Sequence, residues 1–595
     1  MKKKNVLLLV LDSLTADEFD NDKYGEQAMP FLMKLKEKSL HADHFFSEGP
    51  HTEAGLHGII CGTNTLDYNA YLQRFSCNPE IIYDYFDRAG YDLYNMSWAG
   101  NYFPKRFDEK LQTFFMDGIE FPHILTWRIG FYHEVYERGE LNEEDIKDLI
   151  DAYEDDFRIC INFYKNVDVK PESYELVKER ILKNPSELKE YVQALEVEYE
   201  IFKNAPQKYI IEDLKNGRVK DTLRERGFVQ GNEVDYEKLK RIESKNKFFL
   251  NTLKRKQIIS NLFDPNVLYL RLLRHTVKWL LKKPHMYMGH FYYRLQMSNQ
   301  FDISKMKRFG LDCASLKKQF EYLACKLETA NLSEKPWFFY THPLSIHEPV
   351  EWFSYDKTEE EIQREINEAK RLLKHTKGYH GSYLYRLGMR YMDNCLRELF
   401  QNLKNKGLLD NTLIVITADH GTSQCSAPIR NSGFHNNCHS ELYHIPFIIY
   451  ENGVEGRSIE GKWENRDIIP TLLDICGIEG DDMLQGQSLV HPHEIRDIAH
   501  SERIGSGAPS LQHRDAIYVV WDENYKIEYE VKVYEEFEDG HLSAVYNLKE
   551  DPDEQCNIVK KHNKKDIIHL LEFARTRHFG LKKNYEIFLK NRIHG

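Results

Sequence analysis

The stretch Gly407-Leu-Leu-Asp-Asn-Thr-Leu-Ile-Val-Ile-Thr-Ala-Asp-His-Gly421 decides how the chain is read. Residues 413–417 form a short, unbroken apolar run rich in branched side chains. Such a run fits a strand covered on both faces, as in a parallel sheet. It leads directly into Asp419 and His420, one oxygen and one nitrogen donor side by side, a pair suited to zinc or manganese. Gly421 then lets the backbone turn sharply.

The same pattern recurs elsewhere. Residues 6–11 (Val-Leu-Leu-Leu-Val-Leu) end at Asp12, residues 337–340 run towards His342, and residues 445–450 suggest a fourth strand. Helical patterns at 29–39, 80–89 and 383–406 lie between them. Strands alternating with helices predict an α/β sheet whose ligands bind beyond the carboxyl ends of the strands. Asp12, His342 and Asp419 all stand at such ends. An acid at the end of a buried strand costs several kcal/mol unless paired or metal-bound. Taken alone, Asp12 or Ser13 serves equally well as a helix N-cap.

A chain of 595 residues exceeds the usual single core, so one large domain with appended or inserted pieces is expected. The boundaries read as 1–120 and 313–490 for the two parts of the α/β domain. Residues 121–312 read as a mainly helical insertion, and 491–595 as a small antiparallel subdomain with a terminal helix. Within the insertion, residues 268–295 mix basic and aromatic side chains. A helix pair with solvated lysines explains that mixture, and so does a surface that meets lipid head groups or a glycan.

Composition excludes some classes. A hydrophobic content of 41% excludes wholesale disorder, and a net charge of −13 argues against a nucleic-acid binder. An anionic substrate stays compatible, because a local metal ion outweighs a diffuse surface charge. The ten cysteines lack the spacing of a disulfide framework or zinc ribbon and read as reduced thiols. The apolar run after Met1-Lys-Lys-Lys-Asn5 is too short for a signal peptide and ends at an acid. No stretch approaches the roughly 20 apolar residues of a membrane helix. The expectation is a soluble, cytoplasmic protein with at most peripheral membrane contact.

Further motifs fall in order along the chain. They are Tyr24-Gly25 with Met29-Pro30, the segment 46–62, Ser345-Ile-His-Glu-Pro349, and Tyr391-Met-Asp393. Ile468-Ile-Pro-Thr-Leu-Leu-Asp474, Gly486-Gln-Ser-Leu489 and Val545-Tyr-Asn-Leu-Lys-Glu-Asp-Pro-Asp-Glu-Gln-Cys-Asn557 complete the series. Together with the strands ending at Asp12 and Asp419, they resemble the sulfatase family of the alkaline-phosphatase superfamily. The resemblance implies an alkaline-phosphatase-like sandwich with a mainly parallel sheet and a divalent-metal site.

The departures from that family are informative. Formylglycine sulfatases carry Cys-x-Pro-x-Arg, or Ser for Cys, where this chain has Thr52 and Leu56. The later run Cys425-Ser-Ala-Pro-Ile-Arg430 has the wrong spacing and follows Asp419. A threonine here resembles the phosphoethanolamine and phosphoglycerol transferase branches, in which a metal-activated threonine takes up a phosphoryl group. A threonine hydroxyl is a poor nucleophile at neutral pH unless a metal or base activates it; the plainer alternative is a helix N-cap. Ser13 replaces the second Asp of the family's usual pair, which shifts the preference from Ca2+ or Mg2+ towards Mn2+ or Zn2+.

The resemblance thus implies Asp12, Thr52, Asp419 and His420 as metal ligands. Thr52 is then the nucleophile, with His347 and His435 as catalytic candidates and His342 and His439 as substrate-binding ones. His51, Glu53 and His57 flank Thr52 and are candidates for proton transfer by adjacency alone. The implied substrates are a phosphodiester donor and a glycan or lipid-linked glycan acceptor; the competing readings are a true sulfatase and a non-catalytic binding protein.

Overall fold

The computed structural model describes residues 3–16, 28–69, 75–97, 103–116, 123–177, 185–215, 315–343, 383–422, 439–505, 509–552, 554 and 556–594, with single positions 361, 364 and 367. In chain order the strands of its first part are β1 (Asn5–Val10), β2 (Leu40–Ala42), β3 (Phe45–Phe46), β4 (Asp92–Ser97) and β5 (Leu111–Phe115). They are followed by β6 (Trp337–Thr341), β7 (Thr412–Thr417), β8 (Phe447–Tyr450), β9 (Arg457–Ile459) and β10 (Trp463–Glu464).

Eight of these strands make one sheet in the order β5-β4-β6-β1-β7-β8-β2-β9. β5, β4, β6, β1 and β7 are parallel, and β8 runs against both β7 and β2. The sheet is therefore mainly parallel, as the motifs imply. Every residue of β1, β6 and β7 is buried, which accounts for the unbroken apolar runs read from the sequence. β8 starts at Phe447 rather than residue 445. Pro446 has no N–H to give a ladder, and the Ile445 N–H goes to Phe45 O instead (3.0 Å).

Helices Leu316–Ala330 and Tyr383–Asn405 cover the sheet, contributing Phe320, Leu323, Met392 and Leu396 to its core. Asp393 in the Tyr391-Met-Asp393 motif takes a structural part. Its carboxylate accepts the backbone N–H groups of Phe31 and Leu32, both at 2.9 Å, at the start of helix Pro30–Lys36.

Helices His123–Glu137, Glu143–Lys165, Pro185–Asn204 and Pro206–Lys215 enclose a separate core around Tyr153, Phe157, Phe202 and Tyr209. The basic, aromatic run 268–295 lies outside the described residues. The C-terminal part is an antiparallel meander of β11 (Ala499–Ile504), β12 (Ala516–Trp521), β13 (Tyr525–Val531) and β14 (His541–Asn547). The terminal helix Ile568–His594 packs on it through Leu570, Ala574 and Leu581. Among the described residues, no helix is long and apolar enough to cross a membrane.

Helix Thr52–Cys61 lies between the sheet and the C-terminal part. His51 precedes it in extended conformation, and Gly62 ends it at φ 67°, the left-handed cap that glycine adopts without strain. Beneath the helix runs a buried ionic network. Arg466 donates to Glu48 (2.8 Å) and pairs with Glu464. His500 bonds Glu464 (2.8 Å), and Arg577 pairs with Glu502 and Asp67 (2.8 Å to Asp67). Burial pushes the Glu48 carboxyl up to about 8 despite Arg466.

His57 also faces this interior, not the start of its helix. It is fully buried and its Nε2 accepts from Asn78 Nδ2 at 2.8 Å. Burial holds its imidazole neutral, down to about 4. The folded value lies below the unfolded value of about 6.5, so the unfolded chain binds the proton first and stability falls as pH drops through that window. Lowering the pH from 7 to 5 should therefore cost the wild type ~2 kcal/mol through this residue. Urea unfolding at both pH values, compared with His57→Gln, should show the smaller loss in the variant; equal losses would place the proton elsewhere.

Candidate metal and nucleophile site

The site follows from strand register. β6, β1 and β7 are adjacent, with Leu9 opposite Thr341 and Val10 opposite Thr417, so the three strands end nearly level. The residues that follow them bring His342, Asp12 and Asp419 together, all fully buried, with one donor atom of each lying within 4.8 Å of the others. His420 Nε2 stands 3.5 Å from Asp419 Oδ2 and 3.9 Å from Asp12 Oδ1. Thr52 Oγ1, at the first residue of its helix, lies 3.2 Å from the same His420 nitrogen. His342 Nε2 approaches Asp419 Oδ2 from another side, at 3.5 Å.

Each donor is oriented by a neighbour. Asp419 Oδ1 accepts the N–H groups of Ser13 (3.0 Å) and His420 (2.8 Å). Ser13 Oγ donates to Asp12 Oδ1 at 2.6 Å. The Asp419 carbonyl oxygen accepts from Ser47 Oγ (2.5 Å) and Asn465 Nδ2 (3.3 Å). The 2.6 Å contact of His420 Nδ1 with Gly421 O requires the proton on Nδ1, which leaves the Nε2 lone pair facing Thr52 and the carboxylates. Tyr385 ties the segment after Asp12 in place, accepting from Thr15 N (3.1 Å) and donating to Ser13 O (2.8 Å).

These residues fit a divalent cation. Burial alone would push the Asp419 carboxyl up, but His420, His342 and the Ser13 amide outweigh it and hold it well below the ordinary range. Its Oδ2 is buried with no hydrogen-bond donor among the described residues. The separations of 3.2–3.9 Å from His420 Nε2 to Thr52, Asp12 and Asp419 suit atoms that share one small cation at about 2.1 Å from each. Mixed carboxylate and imidazole donors match first-row metals.

The sequence-predicted residues fare differently. Asp12, Thr52, Asp419 and His420 come together. Thr52 is the first helical residue, and His51 occupies the capping position, so the alternative of a threonine N-cap does not hold. His342, read from the sequence as a substrate-binding candidate, lies in the buried cluster with Asp12 and Asp419. His439 precedes the short turn Ser440–Leu442, where its Nδ1 accepts the Glu441 N–H at 3.3 Å, a local capping bond. His51 pairs with Glu53 at 2.9 Å. Leu56 is packed in the core. His347, His435, Tyr24-Gly25 and the run 425–430 lie outside the described residues.

Ser47, Asn465 and Tyr385 were not foreseen. The sequence offered only one weak signal for them: the polar run Glu464-Asn-Arg-Asp467 immediately before an apolar helix, Ile468–Cys476.

The sequence pattern of the family described as Sulfatase matches residues 4–149 and 230–478. The multifunctional alkaline phosphatase superfamily protein PehA of Trinickia caryophylli is 27% identical over 191 residues, 28% of this chain and 34% of that protein. Arylsulfatase K of Xenopus laevis is 26% identical over 261 residues, 40% of this chain and 42% of that one. The chain thus spans less than half the length of these curated relatives. Among solved structures, the phosphonate monoester hydrolase of Agrobacterium radiobacter superposes with a TM-score of 0.50 at 14% identity, over 97% of this chain and 96% of that chain, a likeness of fold. With the family pattern spanning well over half of its residues and running through every strand that builds the site, the chain belongs to the sulfatase family of the alkaline-phosphatase superfamily.

Proposed function

We propose that the protein is a metal-dependent phosphotransferase or phosphodiesterase that works through a phosphothreonine at Thr52. The observation that carries this reading is the Thr52 hydroxyl itself, at the head of a helix and 3.2 Å from His420 Nε2, where formylglycine sulfatases carry cysteine or serine. Leu56, buried where those enzymes carry arginine, points the same way. Neither residue can supply formylglycine chemistry.

Asp12, Asp419, His420 and the Thr52 oxygen would hold the cation, Mn2+ or Zn2+, with His342 as a further nitrogen at its edge. Bound there, a divalent ion lowers the pKa of an attached hydroxyl and offsets the charge of an anionic group. The chain's own residues do the rest. Thr52 Oγ attacks the phosphorus of a phosphodiester; its bond to phosphorus forms as the bond to the leaving alcohol breaks. The Thr52 proton passes to solvent, and the leaving oxygen takes one from a histidine, His347 or His435 by the sequence reading. The N-terminal turn of helix Thr52–Cys61 favours the anion through its dipole. An acceptor hydroxyl, on a glycan or lipid-linked glycan, or water then attacks the phosphothreonine and regenerates Thr52.

Two experiments test this. Purified protein with Mn2+ or Zn2+ should turn over a nitrophenyl phosphodiester faster than a phosphomonoester or a sulfate ester. Thr52→Ala should lower that rate by at least ~10³-fold. Preferential sulfate turnover would make the protein a true sulfatase, and undiminished activity in Thr52→Ala would remove the nucleophile. Separately, chelation should abolish turnover and added Mn2+ or Zn2+ restore it. Asp419→Asn should weaken metal binding in calorimetry by ~100-fold or more. A wild type that binds no metal and turns over none of the three esters would indicate a binding protein on this scaffold.

A further inference from the structure

The turn that follows the active-site loop is held from outside the α/β domain. In residues 439–444, Leu442 O accepts the Gly421 N–H (2.8 Å) and Tyr443 O accepts the Ser47 N–H (2.7 Å). His444 O accepts the Ala16 N–H (2.9 Å). One turn therefore registers the segment after Asp12, the segment leading to Thr52, and the residue after His420. The packing leaves no slack: a Cβ on Gly421 would stand 1.9 Å from Glu441 O. Gly421 O in turn fixes the His420 ring through Nδ1 at 2.6 Å.

The turn is gripped by an ion pair of the C-terminal part. Glu554 Oε1 accepts both the N–H (3.2 Å) and the hydroxyl of Ser440, while its Oε2 pairs with Lys526 of β13. Lys526 also reaches Ser440 Oγ at 3.4 Å and lies over the Tyr546 ring. Both charged residues are 0% exposed. Burying two such charges costs several kcal/mol each unless they are closely paired. Glu554 additionally adopts φ 51°, a conformation that a non-glycine residue keeps only where its surroundings over-determine it. A buried pair with a strained backbone is a costly means of holding one turn, and an understandable one where that turn registers the segments of the site.

We propose that Glu554 and Lys526 are positioning residues for the site: through Ser440 and the 439–444 turn they set where His420 Nε2 meets Thr52. The proposal rests on the reading of the Asp12–Thr52–Asp419–His420 cluster as the reacting site. Its main readout, metal affinity, does not depend on which ester is turned over.

The test uses the full chain. Glu554→Gln combined with Lys526→Met removes both charges together, so neither is left buried alone, and keeps an acceptor for Ser440. Mn2+ affinity by calorimetry should weaken about tenfold. On whichever ester the wild type prefers, kcat should fall about tenfold or more with KM within about twofold. A folded double variant with wild-type affinity and kcat overturns the proposal, because a purely structural pair would move only Tm. If the double variant does not fold, Ser440→Ala decides: weakened Mn2+ binding at unchanged Tm supports the clamp, and wild-type binding overturns it. Sulfate preference in the wild type would sink the phosphoryl reading alone; a wild type that binds neither Mn2+ nor Zn2+, the second of which replaces Mn2+ in the calorimetry where it binds more tightly, overturns both.

Discussion

The carbonyl oxygen of Asp419 meets helix Thr52–Cys61 at Gly55, where an added Cβ would stand 2.1 Å from it. No side chain fits there, so the helix lies directly against the backbone of the strand end that supplies Asp419 and His420. Ser47 and Asn465 donate to the same carbonyl, and Asn465 also donates to Gly55 O at 2.9 Å. One peptide group thus sets the spacing between helix Thr52–Cys61 and the strand end that bears Asp419 and His420. A shift of an ångström there would separate Thr52 from His420, and displacements of that size suffice to cost large factors in rate.

The departures from the family's pattern make physical sense together. Ser13, in place of a second aspartate, bridges the two remaining acids: its hydroxyl serves Asp12 and its amide serves Asp419. Its φ of 60° is the strained conformation that lets one residue face both. A site that loses a carboxylate ligand here gains an orienting donor, and its net negative charge falls. Thr52 and Leu56, standing where formylglycine sulfatases carry cysteine or serine and arginine, are accommodated without change of scaffold: Thr52 opens its helix and Leu56 packs in the core.

The parts of the site legible in the sequence are those with local signatures. A buried strand running into an acid is such a signature, so Asp12 and Asp419 stood out, and β1, β6 and β7 were placed to within a residue or two. The company His342 keeps was not legible, because it depends on β6 lying beside β1, a pairing between residues more than 300 apart in sequence. Ser47, Asn465 and Tyr385 act through single hydrogen bonds to backbone groups of distant segments, and nothing adjacent to them in sequence records that. Asp393 shows the converse. Its motif was visible, but its use, capping helix Pro30–Lys36, is architectural.

Two buried clusters in this chain have the same composition on paper, carboxylates with a histidine: Asp12, His342 and Asp419, and Glu48, Glu464 and His500. What separates them is the cation already present. In the second cluster the Arg466 guanidinium sits 2.8 Å from Glu48 and is paired with Glu464, and Glu464 raises the His500 imidazole to about 9 against the effect of burial. A divalent ion there would have to displace an arginine that its neighbours hold firmly protonated, which is electrostatically prohibitive. In the first cluster the carboxylates face the imidazoles of His342 and His420, which coordinate metals when neutral. The first therefore remains the candidate metal site, and the second is the ionic floor beneath helix Thr52–Cys61.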